Sequence, residues 1–223
     1  MINLKILNEV DPLERRAEKQ SEQKEYSPMD PPDAYSPPAV DAVSYEDMPG
    51  LIRGLMDEHK ELTAALSSFE EAMDQLRDAG PTRQAQEGLS TFFRFIDEHV
   101  VAHHLKEEKV LFPLLQEKLL EIGEHGAGSY KRTAIDMMED DHIRVIQLAA
   151  VTFNLLGLVA RLPDPESRMI VLDAALAQGK ALVELSRLHI FREDTVVFPL
   201  AAKHISAGEF VELDKKLEMF VAY

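Results

Sequence analysis

Apolar residues recur at alternating steps of three and four along most of the chain, which predicts long amphipathic helices. Four such stretches are separated by helix-ending signals, and they cover about residues 48–78, 82–120, 130–162 and 165–204. A shorter amphipathic stretch follows the capping box of Ser206 and Glu209, and it predicts a fifth helix that covers the bundle or a dimer interface. The pattern therefore predicts an all-α protein, with a four-helix bundle at 47–205 and a short C-terminal helix at 206–223.

The first 46 residues do not follow this pattern. A highly charged stretch is followed by a proline-rich segment, Tyr26 to Asp41, in which Tyr-Ser-Pro occurs twice. Dense proline excludes helix and favours an extended, polyproline-like conformation. We expect residues 1–46 to be an acidic, proline-rich arm. It is either a disordered tail or a segment whose tyrosines pack on the bundle or on a partner subunit.

Histidines interrupt the apolar stripes of the predicted helices. His59 follows two acidic residues in the first helix, and His142 follows two acidic residues in the third. The second and fourth helices carry a longer motif, HHLKEEKVLFP from His103 and HIFREDTVVFP from His189. These two copies lie 86 positions apart, which indicates an internal duplication. We expect Pro113 to kink or break the second helix, because proline removes one backbone donor.

The duplicated motif places an imidazole four residues before a carboxylate. Residues at this spacing share one face of an α-helix and lie about 6 Å apart along its axis. Buried His and Glu are costly unless they are paired or bound to a metal, so we interpret the pattern as a pseudo-symmetric two-metal site inside the bundle. The expected ligands are four histidines, two to each ion, and two bridging glutamates: His59, His103, His142, His189, Glu107 and Glu193.

His99 lies on the same predicted side of the second helix, one turn before His103. It has no counterpart in the second copy, where position 185 is Leu. We predict that His99 is an additional metal ligand, which makes the site asymmetric and leaves an open coordination position on one ion. The alternative for any one of these histidines is a core imidazole bonded to a backbone carbonyl.

Other polar residues lie beside the predicted ligands. Glu108 and Asp194 each follow a ligand glutamate, and we predict that they support the ligands from outside or are solvated. His104 lies about 100° round the helix from His103, so we expect it in an outer position or exposed. The acidic residues that precede the first and third histidines either orient the imidazoles or form a solvated face: Asp57, Glu58, Asp140 and Asp141.

Composition narrows the chemistry and the partners. The chain has no cysteine, which excludes disulfides and thiolate ligands. Imidazole with carboxylate suits Fe, Mn, Zn or Cu, and a carboxylate-bridged pair in a bundle favours iron or manganese. We predict two iron ions in preference to Mn or Zn. The net charge of −16 argues against nucleic acid as a partner. Without a secretory signal or an apolar run of ~20 residues, we expect a cytoplasmic protein that contacts no membrane.

The two long motifs, with the isolated DEH and DDH, resemble the hemerythrin-like, HHE cation-binding domains over about residues 48–204. The resemblance implies an up-down four-helix bundle with a non-haem di-iron centre, and it carries the family's ligands onto the four histidines and two glutamates named above. Oxygen-carrying hemerythrins have His-x-x-x-His on the third helix, whereas His142 has Met138 before it and Ile146 after it. The chain is more similar to the bacterial members linked to nitrosative stress and repair of iron centres, which often carry a cysteine-bearing N-terminal segment.

Three functions fit these observations. A site with more imidazoles and fewer carboxylates than an oxidase site stabilises high-valent iron less, which favours binding over hydrocarbon oxidation. We therefore expect a protein that binds, senses or scavenges O₂, NO or peroxide, or handles iron, under oxidative or nitrosative stress. The alternatives are a di-iron redox enzyme of the peroxidase or NO reductase type, served by an electron-donor protein, and a bundle whose metal is only structural. A homodimer is also possible.

Overall fold

The computed structural model describes residues 43–127 and 131–221 and shows an all-α protein built on a helical bundle. Most of the predicted N-terminal arm, residues 1–42, lies outside the described residues, so the division of the chain at residue 46 stays a prediction. The described part begins with a single 3₁₀ turn at Tyr45–Asp47.

Five helices make up the described fold. Helix α1 spans Gly50–Ala79, α3 spans Ala134–Val159, and α5 spans Ala207–Val221. Helix α2 (83–121) is continuous but varies in pitch, with the segments Arg83–Phe95, Ile96–Val100, Val101–Lys106, Glu107–Leu111 and Phe112–Glu121. Helix α4 (165–204) has the segments Pro165–Arg192, Glu193–Val197 and Phe198–His204. The five-residue segments in both helices are π-turns.

Side-chain caps fix where several helices begin. Asp164 accepts a hydrogen bond from the Ser167 backbone N–H ahead of Pro165, as its sequence predicts. The predicted capping box of α5 is confirmed, because Ser206 and Glu209 exchange backbone-to-side-chain hydrogen bonds. Helix α3 begins four residues later than the pattern predicts, at a capping box that starts at Thr133. Gly80, with φ of 76°, ends α1 in a conformation that favours glycine.

The bundle core consists of two apolar clusters with a polar layer between them. One cluster contains Ile52 of α1, Leu115 of α2 and Ile135 of α3; the other contains Leu66 of α1, Phe92 of α2 and Val145 of α3. Helices α1 and α3 run from the first cluster to the second, and α2 and α4 run back, which is the up-down arrangement. The predicted ligand residues lie on each helix between the two clusters, where apolar packing encloses them.

The two π-turns that follow the predicted ligand glutamates occupy equivalent positions in the duplication. The Phe112 N–H donates to the Glu107 carbonyl, and the Phe198 N–H donates to the Glu193 carbonyl, five residues back in each case. Proline follows each phenylalanine and has no N–H to continue the α-helical ladder. The break expected at Pro113 therefore takes the form of a π-turn, which widens the helix at the point where the glutamate enters the core.

By length and composition alone, α3 is the one helix of the described residues that could cross a membrane. One face of this helix carries His142 and buried apolar residues into the bundle core. The flank of α3 beside this face exposes several aliphatic side chains, among them Ile143 and Ile146. The apolar character of α3 is thus only partly explained by packing among the described residues.

Candidate metal centre

Six of the predicted ligands converge in the polar layer. These residues are at most 4% exposed, and they come from all four helices of the bundle. They form two overlapping groups, within each of which the ligand atoms lie no more than 4.8 Å apart. Each group has two histidines of its own, and both groups share the two glutamates. The members of the first are His59, His103, Glu107 and Glu193, and those of the second are His142, His189, Glu107 and Glu193.

Each shared carboxylate lies between a histidine of one group and a histidine of the other. Oε1 of Glu107 is 3.5 Å from His103 Nε2, and Oε2 of the same glutamate is 3.3 Å from His142 Nε2. Oε2 of Glu193 is 3.1 Å from both His59 Nε2 and His189 Nε2. Each glutamate thus faces histidines of both groups, and the bridging role of the two glutamates stays a prediction.

Several buried polar atoms of the cluster have no hydrogen-bond partner among the described residues. The two glutamates are 0% exposed, and none of their four carboxylate oxygens has a hydrogen-bond partner among the described residues. Nε2 of His142 and of His189 is equally without one. The short distances to imidazole nitrogens are thus ion-pair contacts without hydrogen-bond geometry. A buried carboxylate left in this state costs several kcal/mol, so the donor set fits a bound cation.

Four outer carboxylates support the imidazoles. Nδ1–H of His59 donates to Asp194 at 2.8 Å, and Nδ1–H of His142 donates to Glu108 at 2.9 Å. His103 is held in the same way by Glu58 at 2.8 Å. These bonds cross between helices and turn Nε2 of each ring towards the interior, where Nε2 of His59 and Nε2 of His103 lie within hydrogen-bond distance of each other, at 3.1 Å.

The fourth imidazole, His189, is oriented more loosely. Its Nδ1 is 3.9 Å from the Asp141 carboxylate, which is too long for a hydrogen bond, because Arg192 holds that carboxylate at 2.8 Å. The sequence left open whether the acidic residues before His59 and His142 contact the imidazoles. Glu58 and Asp141 do so, whereas Asp57 pairs with Tyr45 and Lys60, and Asp140 pairs with Arg132.

His99 is not part of the cluster, and its prediction as a metal ligand is corrected by the structure. Its exposed side chain stacks on Phe95, with ring centroids 4.8 Å apart. The reason is the π-turn Ile96–Val100, in which the Val101 N–H donates to the carbonyl of Ile96, five residues back. This turn holds one more residue than an α-helical turn, so His99 is rotated away from the face that carries His103.

His104 lies closer to the site than the helical angle predicted. Its side chain is only 5% exposed, and its ring stacks on His142 with centroids 3.8 Å apart. Burial, followed by the neighbouring imidazoles His142 and His189, lowers the pKa of His104 to about 2. The ring is therefore a neutral side chain packed against the second group of ligands. Only the adjacent pair of histidines in HHLKEEK could have signalled this.

In the metal-free cluster, burial opposes the protonation of His59, His142 and His189, but neighbouring carboxylates outweigh it and raise the pKa of these three imidazoles. Burial alone lowers the pKa of His59, but its hydrogen bond to Asp194 and its short contact with the Glu193 carboxylate outweigh that effect and raise the pKa to about 10. Burial also lowers the pKa of His189. The charge of Glu193 and the side chain of Asp141 outweigh this effect and raise that pKa to about 10. Burial raises the pKa of Glu193, but His189 and His59 bring it well below its ordinary value. A cation that binds here must displace these protons.

Comparison with known proteins agrees with this geometry. The family model of the hemerythrin HHE cation binding domain matches residues 50–201, which include every helix that contributes to the cluster. The chain belongs to the hemerythrin HHE cation-binding domain family. Membership implies a bound metal, typically iron, and the buried His and Glu cluster is where the structure can hold it.

Curated relatives share part of this sequence. The iron-sulfur cluster repair proteins YtfE of Cronobacter sakazakii, Escherichia coli O1:K1 and Escherichia fergusonii are each 29% identical over 115 residues. The match covers 51% of this chain and 47% of each relative, so the chain spans about half the length of the curated relatives it matches. No solved structure gave a significant match.

Proposed function

We propose that the protein is a non-haem di-iron protein that binds, senses or scavenges a small ligand of the class O₂, NO or H₂O₂ under oxidative or nitrosative stress. The observation that carries this proposal is the pair of fully buried glutamates, Glu107 and Glu193, whose four oxygens lack hydrogen-bond partners among the described residues. Each glutamate faces imidazoles of both halves of the duplication. Two cations, rather than one, would satisfy both groups.

The proposed division of ligands follows the two groups. His59 and His103 would hold one iron ion, His142 and His189 would hold the other, and Glu107 and Glu193 would bridge them. Nitrogen and oxygen donors without thiolate suit iron, and a carboxylate-bridged pair inside a bundle favours it over zinc. Four protein donors per ion would leave positions for an external ligand, since iron in such sites commonly takes up to six donors. A bound iron pair supplies reversible binding of, and electron exchange with, that ligand.

The protein's own residues have separable tasks in this proposal. The outer carboxylates Glu58, Glu108 and Asp194 hold the Nδ1 protons and so present Nε2 to the ions. The apolar clusters on both sides exclude water and keep the charged pair in a medium of low dielectric constant. The relatives are named iron-sulfur cluster repair proteins, which supports a role in stress. They are about twice as long as the segment that matches this chain.

The test is the metal content of the anaerobically loaded protein, combined with its optical spectrum before and after exposure to air or NO. We expect two irons per chain and a spectral change on ligand addition without continued consumption of the ligand. His103→Ala should lose iron, whereas His99→Ala should keep it, because His99 lies outside the cluster.

Other outcomes would decide against the proposal. Steady catalytic loss of peroxide or NO would identify a redox enzyme instead, and a bound metal inert to all three ligands would identify a structural metal. Unchanged iron content in both Glu107→Ala and Glu193→Ala would refute the site itself.

A further inference from the structure

We propose that the groove between α2 and α3 is the route by which a small neutral molecule reaches the His142 and His189 end of the cluster, and that the His104 ring closes its floor. This inference rests on the proposed function, because it assumes that the cluster holds a metal that takes such a ligand. Under this proposal the two ends of the nearly symmetric site differ: small molecules reach the His142 and His189 end and not the His59 and His103 end.

The groove is open to solvent, and aliphatic side chains form most of its rim, beside the polar side chains of Glu108 and Gln147. Its volume is about 320 Å³, ample for a diatomic molecule. Val101 and Leu105 of α2 face Ile143 and Ile146 of α3 across it, and all four are more than a third exposed. Apolar walls favour the transfer of neutral, weakly hydrated molecules out of water and disfavour ions.

The floor of the groove is formed by His104 and His142. The His104 ring stacks on His142 at 3.8 Å and 8°, and it meets the His189 ring at 5.8 Å and 73°. The donor orbital of an imidazole nitrogen lies in the plane of its ring, and the planes of two parallel stacked rings do not meet at one ion. Nitrogens of His104, His142 and His189 do lie within 4.8 Å of one another. Because the His104 and His142 rings are parallel, however, His104 is a wall in front of the second ligand group and not a further ligand to the ion that His142 would hold.

The duplication shows that this wall is a feature of one half only. The position equivalent to His104 in the second copy is Ile190, an aliphatic residue that is 8% exposed. The imidazole ring at 104, which is flat and packed by stacking, can swing aside by rotation about its side-chain bonds more readily than a β-branched residue. The two ends of the cluster thus differ in access although their proposed ligands are equivalent.

The opposite flank of α2 provides the contrast. There, between α1 and α2, a groove of about 260 Å³ touches His103 and is lined by charged groups, including Glu58, Glu61, Glu98 and Lys106. Its lining also includes Leu62 and Phe95, but the charged groups make it less favourable than the α2–α3 groove for neutral molecules that leave water. Adjacent residues of α2 face the two grooves: Val101 lines the apolar one, and Ala102 lines the charged one. They offer a matched pair for substitution.

The experiment compares Val101→Trp, which fills the apolar groove, with Ala102→Trp, which fills the charged one. Xenon is the first probe, because it binds small apolar sites and needs no iron. In metal-free protein we expect a saturable ¹²⁹Xe chemical-shift change in the parent chain and in Ala102→Trp, and its loss in Val101→Trp. The chain has no other tryptophan, so fluorescence reports that each variant is folded.

The second probe is NO added to iron-loaded protein in a stopped-flow instrument. Val101→Trp should slow NO association several-fold, Ala102→Trp should leave it unchanged, and His104→Ala should accelerate it at equal iron content. His104→Ile, which copies Ile190, should not accelerate it. Together these results would support both the route and the role of His104.

Three results would overturn the inference: a xenon shift that persists in Val101→Trp, equal NO rates in the two tryptophan variants, or a parent dimer that Val101→Trp alone converts to a monomer. The last would show that a second copy covers the groove. Xenon binding that is lost in Val101→Trp, combined with iron-loaded protein that reacts with none of NO, O₂ and peroxide, would refute the proposed function while supporting the apolar preference of the groove.

Discussion

Two adjacent acidic residues on α1 show how single side chains divide the work around the cluster. Glu58 accepts a hydrogen bond from His103 Nδ1 and pairs with Lys106, whereas Asp57 is exposed and bonds Tyr45 and Lys60. Both precede His59 in the sequence, so composition and spacing do not distinguish them. Only Glu58 reaches across to α2, where it fixes the ring that faces Glu107.

Glu58→Gln should therefore weaken metal binding, and Asp57→Asn should not. Losing a carboxylate that orients a ligand histidine typically costs about 10–100-fold in metal affinity, because the imidazole then loses its fixed tautomer and basicity. The measurement is competition with a chelator of known affinity for Fe²⁺. Equal affinities in the two variants would show that the His103 ring is held by packing alone.

At the scale of elements, the π-turns that start at Glu107 and Glu193 decide how the carboxylates enter the core. Each is followed by a proline that interrupts the α-helical hydrogen-bond ladder, at positions 113 and 199. Proline inside a helix is unfavourable by about 3 kcal/mol in the absence of compensation. Both copies have proline at this place. Each proline locally destabilises its helix, and each helps to form the π-turn that places a ligand glutamate.

We expect Pro113→Ala to stabilise the metal-free protein and to weaken its metal binding. Alanine restores the N–H, so the segment can return to α-helical pitch, with a gain of about 1–3 kcal/mol, and Glu107 would then rotate relative to His103. Urea unfolding of the metal-free protein and iron titration measure the two effects. Pro163→Ala, in the loop before α4, is the control and should change neither metal affinity nor the pitch of α2. If Pro113→Ala binds iron as tightly as the parent protein, the π-turn is not needed for metal binding.

At the scale of the whole molecule, the buried charges make stability depend on pH. In the metal-free protein the pKa values of His59 and His189 are raised from 6.5 to about 10. Groups with a raised folded-state pKa contribute stability that is fully present below the unfolded pKa and lost as the pH rises through the folded one. The lowered pKa of Glu193 acts oppositely, since its contribution is present above 4.5 and lost as the pH falls further.

The metal-free protein should therefore be most stable between about pH 4.5 and 6.5 and should lose stability steadily from pH 6.5 to 10. Urea midpoints of chelator-treated protein across this range test the expectation. His189→Gln should show a shallower decline, because one of the imidazoles with a raised pKa is removed. A flat profile in the parent protein from pH 6.5 to 10 would contradict the assignment of protonated imidazoles.

The affinity for iron should have the opposite pH dependence from the stability of the metal-free protein. Since the metal must displace the protons held by the imidazoles, binding near pH 7.5 should release protons and weaken as the pH falls. Calorimetric titrations in two buffers of different ionisation enthalpy count the protons released. Binding without proton release would mean that the histidines are neutral before the metal arrives.

The sequence by itself determined the helices and most of the candidate site. The steps of three and four, the caps at Asp164 and Ser206, and the duplicated His-x-x-x-Glu are local signals, and local signals are read through the fixed geometry of the α-helix. They sufficed to bring His103 beside Glu107 and His189 beside Glu193, because four residues make one turn. The duplication then linked these pairs to His59 and His142.

The tertiary structure decided two kinds of feature: departures from ideal α-helical geometry, and side-chain contacts between helices. The π-turn Ile96–Val100 rotates His99 out of the site, and no rule of spacing shows that turn in the sequence. Packing between α2 and α3 buries His104 against His142, although its helical angle alone suggested an outer position. The choice of Glu58 over Asp57 depends on where α2 lies beside α1. Helical periodicity is a property of one segment, whereas these contacts depend on the relative placement of several.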